Sequence, residues 1–207
     1  MGEETSGALA RLLPLFTFAD SHHAADVAQA LEEHGLTQIE VAFRSEHAGA
    51  AIRAIREHSS LRVVAGTLLS IDQLDTVRDA GAHAGVAPHL DPEVLAHAKR
   101  VGFDFAPGIA TPSEANHAIR EGMTTVKVFP LASLGGPSYL KSLTAVYPKL
   151  SFIPSGGIGV THIGDYLGLH SVSMVSGSWL SPPEAGKSVG EAFTAAVAGL
   201  VGAVEQA

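Results

Sequence analysis

One of the chain's five lysines falls inside an apolar run: Lys127, in TVKVFPL (125–131). An ammonium in a strand-like stretch must face a partner, a cavity or a substrate, because burying it unpaired is costly. A carboxylate is placed just as oddly in QIEVAF (38–43), where Glu40 interrupts Ile39, Val41 and Phe43. Side chains alternate along a strand, so Glu40, Ala42 and Arg44 share one face, and Lys127 shares another with Phe129. In RVVAGTL (62–68), the same rule groups Val63 and Ala65 with Thr67 at the strand end. Were the strands to close into one sheet, Glu40, Arg44, Thr67 and Lys127 would meet in a single pocket. Two chemistries are then open. Glu40 and Lys127 could be an internal ion pair that holds the sheet closed. Alternatively, Lys127 could be an amine nucleophile that condenses with a ketone, with Glu40 moving the protons.

The second half of the chain adds an anion site. Ser155-Gly156-Gly157-Ile158 and Ser176-Gly177-Ser178 each follow an apolar run. Glycine frees backbone amides to approach a phosphate, and barrels often bind phosphate after their last two strands. A lysine on one side and a phosphate cradle on the other imply a small phosphorylated keto compound.

The elements that must position these residues are legible as a rhythm. Strand-like runs occur at 12–18, 38–43, 62–68, 83–88, 103–109, 125–131, 151–158 and 171–177. Between them lie stretches such as AADVAQALEEHG and IDQLDTVRDAG, whose apolar residues recur three and four apart. Thr111-Pro112-Ser113-Glu114 predicts a capped helix start, as do Ser70-Ile71-Asp72-Gln73 and Asp91-Pro92-Glu93. Gly35, Gly81, Gly102 and Gly122 suit helix ends. Eight strand–helix units in 207 residues favour a compact (β/α)₈ TIM barrel with minimal loops. The run from Pro14 to Asp20 lacks glycine, which disfavours a dinucleotide-binding open sheet. No linker is visible, so 1–207 reads as one α/β domain with a short segment before the first strand at about residue 12.

Composition narrows the partners. The net charge is −8 and the 13 basic residues are scattered, which argues against nucleic acid. No apolar stretch reaches membrane-spanning length, and the acidic start MGEETSGALARLLPLF does not read as a secretory signal. With no cysteine there are no thiolate nucleophiles or thiolate metal sites, and a cytoplasmic protein is the default. The 11 histidines show no ligand spacing with carboxylates, so no metal is expected. Trp179 reads as a packing anchor or a subunit contact.

Taken in order, IEVAFRSE, VAGTLL, FAPGIATPSE, VKVFP, PSGGI and GSWL resemble the strand-end motifs of the KDPG/KHG aldolases, the small class I pyruvate aldolases. The resemblance covers nearly the whole chain. It implies that Lys127 forms the Schiff base and that Glu40 moves protons. Arg44 and Thr67 would hold the pyruvyl carboxylate, and Gly156, Gly157, Gly177 and Ser178, with Ser155, the phosphate. It also implies a cytoplasmic homotrimer without a cofactor. Where the family usually reads S-P-G-L, this chain has Ala87-Pro88-His89-Leu90, so Pro88 and His89, with Phe129, are candidates for the pocket wall. The acid that often follows the lysine strand is missing, since Pro130 precedes Leu131 and Ala132. Three rival functions stay open: a sister aldolase acting on 4-hydroxy-2-oxoglutarate or the galactonate epimer, a phosphate-binding isomerase or synthase, and a non-catalytic sugar-phosphate-binding barrel.

Overall fold

The computed structural model describes residues 7–183 and 189–206; the remaining positions of the expected 1–207 domain lie outside the described residues. Strands packed inside a barrel and covered by helices outside must be apolar on both faces. β1 (Leu12–Phe16) and β2 (Gln38–Ala42) are accordingly buried at every position. They are followed by β3 (Arg62–Gly66), β4 (Ala84–Val86), β5 (Phe105–Ala106), β6 (Gly108–Ile109), β7 (Thr125–Val128), β8 (Ser151–Pro154) and β9 (Val175–Gly177). The alternating helices are α1 (Ala24–Glu33), α2 (Ala48–His58), α3 (Ile71–Asp79), α4 (Pro92–Arg100), α5 (Pro112–Arg120), α6 (Gly136–Val146), α7 (Ile163–Leu167) and α8 (Glu191–Glu205).

All strand pairs are parallel, in the orders β5-β4-β3-β2-β1-β9 and β6-β7-β8. Single bridges from Phe152 to Val172 and from Ser155 to Ser176 link β8 to the last stave. On the other side, β5 and β6 are two pieces of one stave, so the curled sheet is the expected (β/α)₈ barrel. The run 103–109 is broken at Pro107, which has no N–H to donate. Next to the break, a Cβ on Gly108 would lie 2.2 Å from the Pro88 carbonyl carbon, so only glycine lets the two segments meet there.

Register decides which residues face inward. Glu40 lies opposite Val64, and Leu13 lies opposite Ser176. Leu13, Val64, Ala84, Val86, Ala106 and Ile153 form an inner apolar cluster, while Val63 and Ala65 pack outward with the helices. Alternation along β3 therefore runs opposite to the sequence expectation. Thr67 joins the interior only because the chain turns sharply after the strand, at φ +60.

The expected helix starts are present. Ser70 accepts a hydrogen bond from the Gln73 N–H, and Asp91 from the Glu93 and Val94 N–H groups. At α5, Thr111 accepts from the Glu114 N–H, while the Glu114 carboxylate takes the Ala110 N–H and the Thr111 hydroxyl. These caps fix where each strand end gives way to its helix, and hence the rim of the barrel.

Candidate active site

Above the inner apolar cluster lies a polar layer. Lys127 sits on β7 between Gly108 and Ile153, and its Nζ donates to Glu40 Oε1 at 2.8 Å. Glu40 is 0% exposed and Lys127 4%, so the pair is desolvated. A buried pair costs solvation that its mutual attraction must repay. A site that needs a lysine held beside a proton acceptor gives this cost a reason. Glu40 Oε2 accepts from Ser176 Oγ at 2.6 Å, and Ser155 Oγ donates to Ser176 Oγ at 3.4 Å, a long and weak contact.

The carboxylate fits because Gly66 lies beside it. A Cβ there would stand 2.1 Å from Glu40 Oε1. The next residue, Thr67, holds a positive φ that a β-branched residue rarely adopts, and such strain collects at functional sites. Its Oγ1 accepts from Arg44 Nε at 3.2 Å. That contact fixes the guanidinium at the rim, exposed, and leaves both Nη groups without a partner among the described residues. A planar fork held this way suits a carboxylate.

These residues open into a cavity of about 290 Å³ lined by Leu15, Arg44, Thr67, Pro88, Lys127 and Phe129 on one side. Ser155, Gly156, Gly157, Ile158, Gly177 and Ser178 line the other. Gly156 and Gly157 have φ +92 and +78, and Cβ atoms on them would strike the Phe129 ring and Ala132. The carbonyls of Ser155 and Gly156 are taken by the N–H groups of Leu131 and Ala132. Among the described residues, the Gly156 and Gly157 amides have no protein acceptor. Trp179 locks the two loops together: its indole covers Gly177 and its Nε1 donates to the Ile158 carbonyl at 2.9 Å. Among the described residues, the lining carries two cations, Arg44 and Lys127, against the Glu40 carboxylate beneath, a balance suited to an anion.

One expected wall residue stands elsewhere. His89 is exposed and does not line the cavity; its backbone carbonyl accepts from the Gly108 N–H at 3.1 Å. Position 89 thus shapes the rim through its main chain. Ser155 lines the cavity as expected, but its hydroxyl points toward Ser176. Leu15 and Gly66 were not picked out from the sequence, though the Gly-Thr pair at the end of β3 was an available signal for Gly66. Ile158 and Ser176 stood out only as members of the two Gly/Ser clusters, and the contact of Ser176 with Glu40 was not anticipated. A larger hollow of about 440 Å³ opens at the opposite end of the barrel, around Arg62, Phe103, Thr125 and Met174, away from every one of these groups. Among the described residues, no three His, Asp or Glu side chains are grouped so as to hold a metal ion.

Similarity to known proteins points to one family. A 2-dehydro-3-deoxy-phosphogluconate aldolase of Treponema pallidum is 34% identical over 175 residues, 84% of this chain and 83% of the relative. The structure of the 2-keto-3-deoxy-6-phosphogluconate aldolase of Zymomonas mobilis with 3-phosphoglycerate superposes with TM-score 0.86 at 31% identity, over 98% of this chain and 93% of that one. A KDPG aldolase of Legionella pneumophila, captured with pyruvate as a covalent carbinolamine, superposes with TM-score 0.85 at 30% identity, over 97% of both chains. The model of the KDPG and KHG aldolases matches residues 4–191, and the chain belongs to that family.

Proposed function

We propose that the chain is a class I aldolase that cleaves 2-keto-3-deoxy-6-phosphogluconate to pyruvate and glyceraldehyde 3-phosphate, with Lys127 as the nucleophile. The observation that carries this reading is the buried Lys127–Glu40 contact at the floor of a cavity with Arg44 at one side and a glycine loop at the other.

The reaction follows from that placement. Lys127 Nζ gives a proton to Glu40 Oε1, 2.8 Å away, and attacks the C2 carbonyl carbon to form a carbinolamine. Glu40 returns the proton to the departing hydroxyl, water leaves, and a protonated imine remains. The Glu40 carboxylate then takes the C4 hydroxyl proton as the C3–C4 bond breaks. The bonding electrons flow into the imine, which becomes an enamine while the aldehyde leaves. Protonation at C3 and hydrolysis release pyruvate and restore the amine. Arg44, steadied by Thr67, holds the substrate carboxylate. The free amides of Gly156 and Gly157, with Gly177 and Ser178, take the phosphate, while Pro88 and Phe129 exclude water.

The family membership supports a single domain that works as a homotrimer in the cytoplasm on a small keto acid, without nucleic acid, membrane or cofactor. Light scattering on the purified chain tests the trimer. Borohydride reduction in the presence of pyruvate tests the chemistry. A reduced pyruvyl adduct is expected on Lys127, located by peptide mapping, and Lys127→Ala should lose both adduct and turnover while keeping its fold. An unmodified Lys127, or a K127A variant with near-normal turnover, refutes the assignment and returns the lysine to the role of an ion-pair partner. Activity on 4-hydroxy-2-oxoglutarate in the same assay separates the sister reaction.

A further inference from the structure

The two oxygens of Glu40 have different partners. Oε1 faces Lys127 at 2.8 Å, and Oε2 accepts from Ser176 Oγ at 2.6 Å. Both distances lie in the range of charge-assisted hydrogen bonds. Glu40 and Ser176 are each 0% exposed, so water cannot stand in for the serine. Ser176 does not line the cavity, and binding of substrate therefore does not explain its hydroxyl. The residue sits on β9, opposite Leu13, and its hydroxyl reaches Glu40 across the interior face of β1. A serine at this position without a partner would itself be costly to bury.

The proposed chemistry gives the bond a task. Once Lys127 is an imine, its nitrogen no longer offers the three hydrogens of an ammonium, and the Oε1 contact changes with each step. The Oε2 contact does not depend on the lysine. A hydroxyl donates to a carboxylate and accepts from a carboxylic acid, so serine can follow Glu40 through both protonation states. We infer that Ser176 is a positioning residue for Glu40, fixing the Oε2 edge of the carboxyl while Oε1 exchanges protons with lysine and substrate. This inference rests on the aldolase reading of the same site.

Ser176→Ala removes the hydroxyl and leaves the cavity lining intact. A displaced catalytic group of this kind costs about 100-fold. The expected result is a fall of that order in kcat and in the exchange of pyruvate methyl protons for deuterium, with KM changed by less than about two-fold. A second comparison separates positioning from general damage. Glu40→Gln removes the proton carrier, and adding Ser176→Ala to it should produce no further loss of exchange, because residues acting as one unit are not additive. Should Ser176→Ala not fold, Ser176→Cys, which fills the site with a poorer donor, is read in the same way. Exchange within two-fold of the parent in a folded variant, or losses that multiply in the double variant, overturns the inference. Failure of the underlying reading has a different signature: the unmodified protein itself forms no borohydride adduct. An adduct on Lys127 in both proteins with equal exchange rates sinks only the role of Ser176.

Discussion

Gly66→Ala places one methyl group against the Glu40 carboxylate, the proposed proton carrier. The added Cβ would lie 2.1 Å from Glu40 Oε1 and 2.9 Å from both Cδ and Cγ. Ordinary carbon–oxygen contacts stand near 3.3 Å, so Oε1 must retreat by about 1.2 Å. It cannot do so freely, because Lys127 holds Oε1 and Ser176 holds Oε2. A misplacement of about 1 Å in a reacting group costs on the order of 100-fold in rate. Forcing a methyl into a packed interior costs about 2 kcal/mol. For a chain of this length that lowers the melting temperature by about 4–8 °C. Turnover measured as pyruvate release, alongside thermal melts, reads both effects. Glu40→Asp in the Gly66→Ala background shortens the side chain by one methylene and should recover the melting temperature without recovering turnover. A Gly66→Ala protein with parental turnover and melting temperature would refute the placement of Glu40 beside Gly66.

Two further outcomes follow from other contacts. Trp179→Phe deletes the N–H that donates to the Ile158 carbonyl, worth about 1 kcal/mol. KM for the phosphorylated substrate should rise about five-fold while that for an unphosphorylated keto acid stays level; equal changes for both would detach Trp179 from the proposed phosphate site. His83 gives a pH dependence. Burial, followed by Arg56 and Arg62, holds its imidazole below the ordinary value of 6.5, and its Nδ1 accepts from the Val63 N–H at 2.9 Å. As pH falls through 6.5 the unfolded chain takes up the proton first, so stability present above that pH declines toward the depressed folded value. The melting temperature should drop across this window, and His83→Asn should flatten the drop; an unchanged slope in the variant assigns the effect to another group.

The chemistry was legible wherever a charge broke an apolar pattern. Lys127 and Glu40 stand out because a strand buried on both faces has no place for an unpaired ion. The glycine loops were legible because Gly-Gly after a strand frees amides at the barrel rim. The caps at Ser70, Asp91 and Thr111 were legible because capping is local. Three features were not. Inward and outward faces of β3 were exchanged, because its apolar residues run without a break and periodicity cannot choose a side. Thr67 escapes alternation altogether through its positive φ. His89 resembled a pocket residue by its place in a motif, yet its side chain points to solvent.

By itself, the sequence determined the alternation of strands and helices, the residue types for imine chemistry and the glycines that free an anion site, since each depends on neighbours a few positions apart. Closure of the sheet decided the rest. Ser176 lies 136 positions from Glu40 along the chain, and the two hydroxyl and carboxylate groups meet only after β9 pairs with β1 and β1 with β2. Gly66 matters only because that pairing sets β3 beside the Glu40 side chain. Register, which adjacent residues do not specify, brings these scattered residues together as the proposed proton-handling site.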